Sequence, residues 1–396
     1  MRLAIVSHKI CRKDPAAASG YATDGGFPRQ IEAISELFDE TVLVVPCGER
    51  ENKSGLTPLE GKNLKFCELS VQSGKDFRKK LLLPFWLLRN GRQIWKAVKS
   101  ADAVHAPIPG DVGTIGLVFA LVQKKPLFVR HCGNWLVQRT AAERFWKWLM
   151  ERFAGGRNVM FATGGNEEAP SRKNPHVKWI FSTSLRQSEM AGIRERTLPA
   201  DGRINLLIAC RQEERKGTGI VIESLKAVLR DFPLASLHIA GDGALLESLK
   251  KKARALGVED KVIFYGKIER TRVIELMKKC HVFCFPTSAS EGFPKAVIEA
   301  LACGLPVVTT RVSVLPQIIA DGGNGHLLAR ANAEGLAAAV REICGDGENY
   351  RAMSRRALET ARAYSLENWR DTIGENLRRA WNVQALSGSV QKLSLL

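Results

Sequence analysis

Residues 282–310 read Val-Phe-Cys-Phe-Pro-Thr-Ser-Ala-Ser-Glu-Gly-Phe-Pro-Lys-Ala-Val-Ile-Glu-Ala-Leu-Ala-Cys-Gly-Leu-Pro-Val-Val-Thr-Thr. An apolar run, a Gly-Phe-Pro turn, a stretch of good helix formers and a second apolar run spell strand, turn, helix, strand. Two strands joined through a helix run parallel, so this segment demands an α/β sheet. Glu291 then stands at the carboxyl end of a strand, where open α/β sheets form their ligand crevices. Glu299 lies about two turns into the helix, on the face towards that crevice. Backbone N–H groups of Gly292, Phe293 and Lys295 at the helix start suit an anion, although Pro294 has none to offer. Carboxylates accept from hydroxyls. A ligand carrying both phosphates and sugar hydroxyls fits this combination.

The same rhythm runs through nearly all 396 residues. Strands are predicted at Leu3–His8, Thr41–Pro46, Leu64–Leu69, Ala103–Ala106, Leu127–His131, Val159–Thr163 and Val177–Phe181. A second series follows at Asn205–Ala209, Ser236–Ala240, Val262–Tyr265, Val282–Phe285, Val307–Thr309 and His326–Leu328. Helical patterns separate most of them. The expected class is α/β, with two Rossmann-like parallel-sheet domains. A chain of this length exceeds one ordinary core, and the polar segment Ser182–Arg203 is the expected hinge.

Composition narrows the setting. Nine cysteines without a paired framework suit a reducing cytoplasm. No run of about 20 residues is free of charge, so no transmembrane helix is expected, and the first apolar run is too short for a signal peptide. The net charge of +18 either only maintains solubility or answers an anionic partner: a membrane surface, a substrate or a nucleic acid. The cations fall on amphipathic helical patterns without a nucleic-acid signature, so no nucleic acid is expected.

The first strand of the second series ends in Cys210-Arg211-Gln-Glu-Glu-Arg-Lys216-Gly217. A guanidinium fork and a compact ammonium on a glycine loop can stabilise a diphosphate leaving group. Standing alone, this would read as a solvated charged loop; beside Glu291 and Glu299 it reads as a site. In the first half, Gly25 and Gly26 precede a helical pattern and let backbone approach a phosphate. The Cys11–Ala22 stretch before them reads as a long loop insertion. His131 ends a strand and precedes Cys132-Gly133-Asn134-Trp135. Gly241-Asp242-Gly243 reads as a tight strand-to-helix exit. The chain has no Asp-x-Asp pair and no Gly-x4-Gly-Lys-Ser/Thr loop.

The Glu291-x7-Glu299 spacing resembles the signature of family-4 retaining glycosyltransferases, and Arg211-x4-Lys216-Gly217 resembles that family's donor-phosphate site. The likeness is strong from Asn205 to Leu328 and loose before Ser182. It implies a GT-B arrangement, two α/β domains facing each other across a cleft. The implied division is an acceptor-side domain (1–185), a nucleotide-sugar domain (186–365), a helix crossing back (366–383) and a loose tail (384–396). Arg211 and Lys216 would neutralise the diphosphate, Glu299 hold the ribose and Glu291 the sugar. Gly25, Gly26 and His131 would reach the donor from the first domain. The implied reaction retains the anomeric configuration and uses neither metal nor cofactor, only a nucleotide sugar and a hydroxyl acceptor such as a lipid-linked glycan. A nucleotide-sugar 2-epimerase of the same fold and a non-catalytic sugar-nucleotide binding protein are the alternatives.

Two stretches, Lys75–Arg89 continuing through Arg92, Lys96 and Lys99, and Arg144–Phe153, set bulky apolar residues among cations. Peripheral attachment to the cytoplasmic face of the plasma membrane is expected from them, the alternative being ordinary core helices whose cations line the solvent face. Pro84 is expected to interrupt the first of these helices.

Overall fold

The computed structural model describes residues 1–49, 56–72, 76–138, 140–165, 168–290 and 292–383. Two compact units result, Met1–Ser184 with the stretch from Leu366, and Leu185–Ser365.

The first unit is built on one sheet. Its parallel part runs Val177–Ile180, Asn158–Thr163, Leu127–His131, Ala103–Ile108, Arg2–Val6 and Glu40–Gly48, with Leu64–Leu69 also paired to Glu40–Gly48. Strands covered on both faces read as unbroken apolar runs, which is why Leu3-Ala-Ile-Val6 shows no polar alternation. Leu3, Ile5, Leu43 and Val45 face a core closed by helices Phe27–Ser35 and Leu366–Trp381. Val6, Val42 and Val44 face the opposite core, under helices Asp76–Ser100, Asp111–Val122 and Ala141–Phe153. The last helix buries Trp369, Ile373, Leu377 and Trp381, a four-residue spacing that forms one stripe. Its Trp369 ring lies 4.7 Å under the Arg130 guanidinium.

Two expectations for this unit are corrected. Cys11–Ala22 is not simply a loop: Cys11–Lys13 and Tyr21–Asp24 form an antiparallel hairpin extending the sheet, joined by Leu56–Pro58. Thr23 Oγ1 donates to the Ile10 carbonyl at 2.8 Å, and Tyr21 stacks on Phe66 at 4.1 Å. Pro84 does not end its helix, which continues from Asp76 to Ser100. An interior proline costs about 3 kcal/mol. Anchoring further along offsets it: Trp86 Nε1 donates to the Ser70 carbonyl at 2.7 Å, and Asn90 Oδ1 accepts the Ser70 N–H at 2.9 Å. Ile94 and Val98 continue the buried face.

The second unit holds a six-stranded parallel sheet in the order Val262–Gly266, Ser236–Ala240, Asn205–Ala209, Val282–Phe285, Val307–Thr310, Gly325–Leu328. Leu206 and Ile208 enter one core and Leu207 and Ala209 the other, as the two-residue strand period requires. Helices Thr218–Asp231, Leu246–Ala255 and Ala333–Cys344 cover the first face; Arg270–Lys279 and Lys295–Ala302 cover the second.

Candidate functional site

In the second unit the chain lays its first three strands outward in one direction, then returns to place Val282–Phe285 on the other side of Asn205–Ala209. Strand order reverses there, and the crevice at such a reversal is the usual ligand site of an open sheet. The described loop residues leaving these two strand ends are 210–217, and 286–290 with 292–294.

The two loops are fastened to each other through backbone. Ser288 N–H and Thr287 Oγ1 both donate to the Arg215 carbonyl at 2.9 Å. Gly217 sits at φ +83°, and a Cβ there would meet the Pro286 carbonyl oxygen at 2.3 Å. Only glycine permits that approach. Gln212 is fully buried: its Nε2 donates to the Cys210 carbonyl at 2.9 Å and its Oε1 accepts from Thr218 Oγ1 at 2.7 Å. Gly241, at φ +119°, comes so close that a Cβ would overlap the Cys210 carbonyl. The Gly241-Asp242-Gly243 turn therefore shapes the Arg211 loop from behind. Gly241 and Asp242 also line the cavity described next, a role beyond the tight exit read from the sequence.

That cavity measures about 450 Å³ and opens at the strand ends, bounded by Arg211, Gly241, Lys267, Ile268, Arg270 and Glu299 among others. Its size falls in the range of small-molecule sites. Ile268, Val273 and Ala296 give it an apolar wall, while Arg211, Lys267 and Arg270 give it positive charge. Asp242 and Glu299 are its carboxylates, and only 12% of the Glu299 side chain is exposed. Arg270 Nε donates to Glu299 Oε1 at 2.6 Å and its Nη1 to Glu189 Oε1 at 3.0 Å. Burial would lower the Arg270 pKa; Glu299 and Glu189 hold it above the ordinary value instead. Its Nη2 is buried and has no partner among the described residues. A buried guanidinium N–H without an acceptor is costly, and a ligand oxygen would relieve it.

Of the residues singled out by sequence, Arg211 and Glu299 line this one cavity. The Arg211 side chain is 75% exposed and pairs with Glu213 at 3.0 Å, a surface ion pair worth little and readily exchanged for a ligand. Lys216 does not line the cavity; it closes the short 3₁₀ turn Glu214–Lys216, its Nζ 5.9 Å from the centre of the Phe285 ring. Gly292, Phe293 and Lys295 are half-buried and also lie outside the lining. Phe293 packs on Tyr364 at 5.6 Å, and the Val297 N–H already donates to the Pro294 carbonyl at 3.0 Å. Glu291 lies outside the described residues. Arg270, Gln212, Lys267 and the apolar wall were missed. Arg270 sits in Glu269-Arg-Thr-Arg272, which reads as an ordinary solvated helix start, and its partner is 29 positions away. The one available signal was an arginine at the carboxyl end of the Val262–Gly266 strand.

In the first unit, Gly25 takes φ +77° and Gly26 caps helix Phe27–Ser35 without a side-chain bond. Asp24 beside them pairs with Lys9. His131 is buried, edge-on to Trp135 at 5.3 Å. Burial, its main cause, pushes the His131 pKa down to about 4, so the ring is neutral near pH 7. Its Nδ1 has no partner among the described residues.

Comparison with known proteins bears on the fold. Anabaena HepE, solved in complex with UDP, superposes with a TM-score of 0.68 at 16% identity, over 96% of this chain and 100% of that one. The fold is GT-B. Residues 191–360 match the model of the family described as glycosyl transferases group 1. The phosphatidyl-myo-inositol mannosyltransferase of Mycobacterium leprae is 25% identical over 191 residues, 48% of this chain and 49% of that protein. The GDP-mannose-dependent alpha-(1-6)-phosphatidylinositol monomannoside mannosyltransferase of Mycolicibacterium smegmatis is 30% identical over 161 residues, 39% and 41% respectively. The chain spans about half the length, or less, of these curated relatives. No helix among the described residues is long and apolar enough to cross a membrane.

Proposed function

We propose that this chain is a glycosyltransferase that moves a sugar from a nucleoside diphosphate sugar to a hydroxyl acceptor. The observation that carries the reading is the cavity at the strand-order reversal, which joins Arg211 and Arg270 to the carboxylate of Glu299. Cations suit a diphosphate, and a carboxylate with one oxygen engaged retains lone pairs for ribose hydroxyls. The match of residues 191–360 to glycosyl transferases group 1 supports the same reading.

In this proposal the donor lies with its ribose at Glu299, its base against Ile268 and Val273, and its phosphates towards the Arg211 loop. Arg211 and Lys216 stabilise the departing nucleoside diphosphate, and Glu291 serves the sugar. Retention of configuration and independence from metal belong to the proposal, drawn from the Glu-x7-Glu spacing and the cationic phosphate loop. Gly25, Gly26 and His131 of the first unit are assigned to the donor's far side; a neutral His131 accepts a hydroxyl proton in a hydrogen bond or donates one. The acceptor belongs to glycolipid or cell-surface glycan synthesis, a reading favoured by mannosyltransferase relatives named for phosphatidylinositol substrates; the cytoplasmic side is part of the proposal.

A thermal-shift screen with UDP-, GDP-, ADP- and TDP-sugars tests the donor, since a ligand at 100 times its Kd stabilises by about 2.7 kcal/mol. Product analysis with and without acceptor, in the presence of EDTA, then tests transfer. A donor altered without acceptor means an epimerase, and a donor bound without any turnover means a binding protein. Activity abolished by EDTA removes the metal-free mechanism.

A further inference from the structure

We propose that the first unit docks on an anionic lipid surface through one face, formed by helices Asp76–Ser100, Asp111–Val122 and Ala141–Phe153. This inference stands on surface chemistry alone and does not depend on the glycosyl-transfer reading.

These three helices cover the same side of the sheet and share one core. Trp95 meets Phe119 edge-on at 5.1 Å, and Trp146 Nε1 donates to Thr114 Oγ1 at 2.9 Å, so the three are neighbours. Nine of the fourteen large apolar side chains exposed among the described residues lie on them. They include Phe85 at 70%, Leu88 at 81%, Val122 at 63% and Trp148 at 53% exposure. Single exposed apolar residues need no explanation, but a concentration of this kind on one face does.

The longest helix sets the pattern. At about 100° per residue, Leu81, Phe85, Leu88, Arg92, Trp95 and Lys99 fall within roughly 40° of one line along the helix. Trp86, Asn90, Ile94 and Val98 occupy the buried side. The outward line is thus apolar in its first half and cationic in its second, with Arg89 and Lys96 beside it. From Phe77 to Ser100 the sequence has seven Lys or Arg and no Asp or Glu. Arg89, Arg92, Lys96 and Lys99 are exposed and take part in no ion pair among the described residues.

Apolar groups that enter an interface beside unpaired cations match lipid headgroups that are anionic. A second copy of the chain suits the face poorly, because it would set like charges against each other on a protein of net charge +18. Nucleic acid would answer the cations and leave Phe85 and Leu88 in water. The occupant is therefore a phospholipid surface with anionic headgroups.

The test is co-sedimentation of the full chain with phosphatidylglycerol/phosphatidylcholine vesicles and with phosphatidylcholine alone, at low and high salt. Binding to the anionic vesicles at low salt is expected, weakened but not abolished by salt. The triple variant Arg89→Glu/Arg92→Glu/Lys96→Glu should partition about a hundredfold more weakly. Phe85→Glu/Leu88→Glu should keep only salt-sensitive binding. A blue shift of tryptophan emission on binding reports Trp95 and Trp148 entering the interface. Circular dichroism melts verify that each variant folds. The proposal is overturned by absence of binding at low salt, by equal binding of wild type and charge variant, or by equal affinity for neutral vesicles. Light scattering that finds a dimer dissolved by Phe85→Glu/Leu88→Glu also overturns it.

Discussion

Arg270 Nε donates to Glu299 Oε1 at 2.6 Å inside the cavity, and the same guanidinium reaches Glu189 Oε1 at 3.0 Å. The Glu299 carboxylate is thereby anchored before any ligand arrives, with Arg270 Nη2 left over as a buried donor. Preorganisation of this kind lowers the entropy that a ligand must overcome on binding. Arg270→Ala and Glu299→Ala are each expected to weaken binding of the free nucleoside diphosphate by about 1.5–3 kcal/mol, the range for hydrogen bonds to charged groups. Glu291→Ala should instead lower turnover and leave nucleotide affinity near wild type. Calorimetric titration separates the two. An unchanged dissociation constant in both Arg270→Ala and Glu299→Ala would remove them from the nucleotide site.

Arg211 and Lys216 belong to one loop but have different surroundings. Arg211 is exposed at the cavity, whereas Lys216 sits in the 3₁₀ turn near Phe285. Arg211→Ala should reduce kcat by a barrier of about 2–4 kcal/mol, the usual cost of losing a preorganised donor. Its melting temperature should not change, because its Glu213 pair is solvent-screened. Lys216→Ala should reduce kcat comparably and also cost a little stability through lost packing on Phe285. Steady-state kinetics alongside thermal melts check both. Wild-type turnover in either variant would assign that residue to the surface alone.

Much of the second unit was readable because its central strands are covered on both faces, and three of its apolar runs stop at Gly241, Gly266 and Pro286. Asn205–Ala209 and Val282–Phe285 lie where the pattern places them. What was illegible depends on distant partners. Arg270 becomes part of a site only when Glu299 and Glu189 converge on it from other elements. The Cys11–Lys13 strand is three residues long, too short for any period, and exists because Cys11 pairs in register with Cys47. Pro84 argued against a helix that tertiary anchoring through Trp86 and Asn90 maintains. Gln212, surrounded by charged neighbours, gave no sign that it alone would be buried.

Gly217 joins the Arg211 loop to Pro286 by a contact that any side chain would break. Alanine at φ +83° is strained, and its Cβ would stand 2.3 Å from the Pro286 carbonyl oxygen. Gly217→Ala should therefore destabilise the chain by about 2 kcal/mol or more and displace the cationic loop. Gly202→Ala, also at positive φ but with nothing within 4 Å, should cost less, through backbone strain alone. Urea denaturation of the two variants checks the difference. Equal losses would mean that the contact with Pro286 contributes nothing.

The final prediction concerns acid. His281 Nδ1 accepts the Asn205 N–H at 2.9 Å, so that nitrogen must carry no proton in the folded chain. Burial, assisted by the Arg196 cation, pushes the His281 pKa down to about 4 from an ordinary 6.5. The unfolded chain thus binds more protons between these values, and stability must rise with pH across that window. Read downward, the contribution is intact above about pH 6.5 and is lost progressively towards pH 4. At pH 5 the loss from His281 amounts to roughly 2 kcal/mol, at 1.36 kcal/mol for each unit of difference. His131, also depressed to about 4, acts in the same sense, so the wild-type profile alone does not isolate His281. His281→Gln does: its side-chain oxygen can accept the Asn205 N–H without titrating. Urea denaturation at pH 7 and pH 5 should find the variant losing about 2 kcal/mol less than wild type on acidification. Parallel losses in the two proteins would mean that His281 is protonated in the folded state and that the Asn205 bond does not hold it neutral.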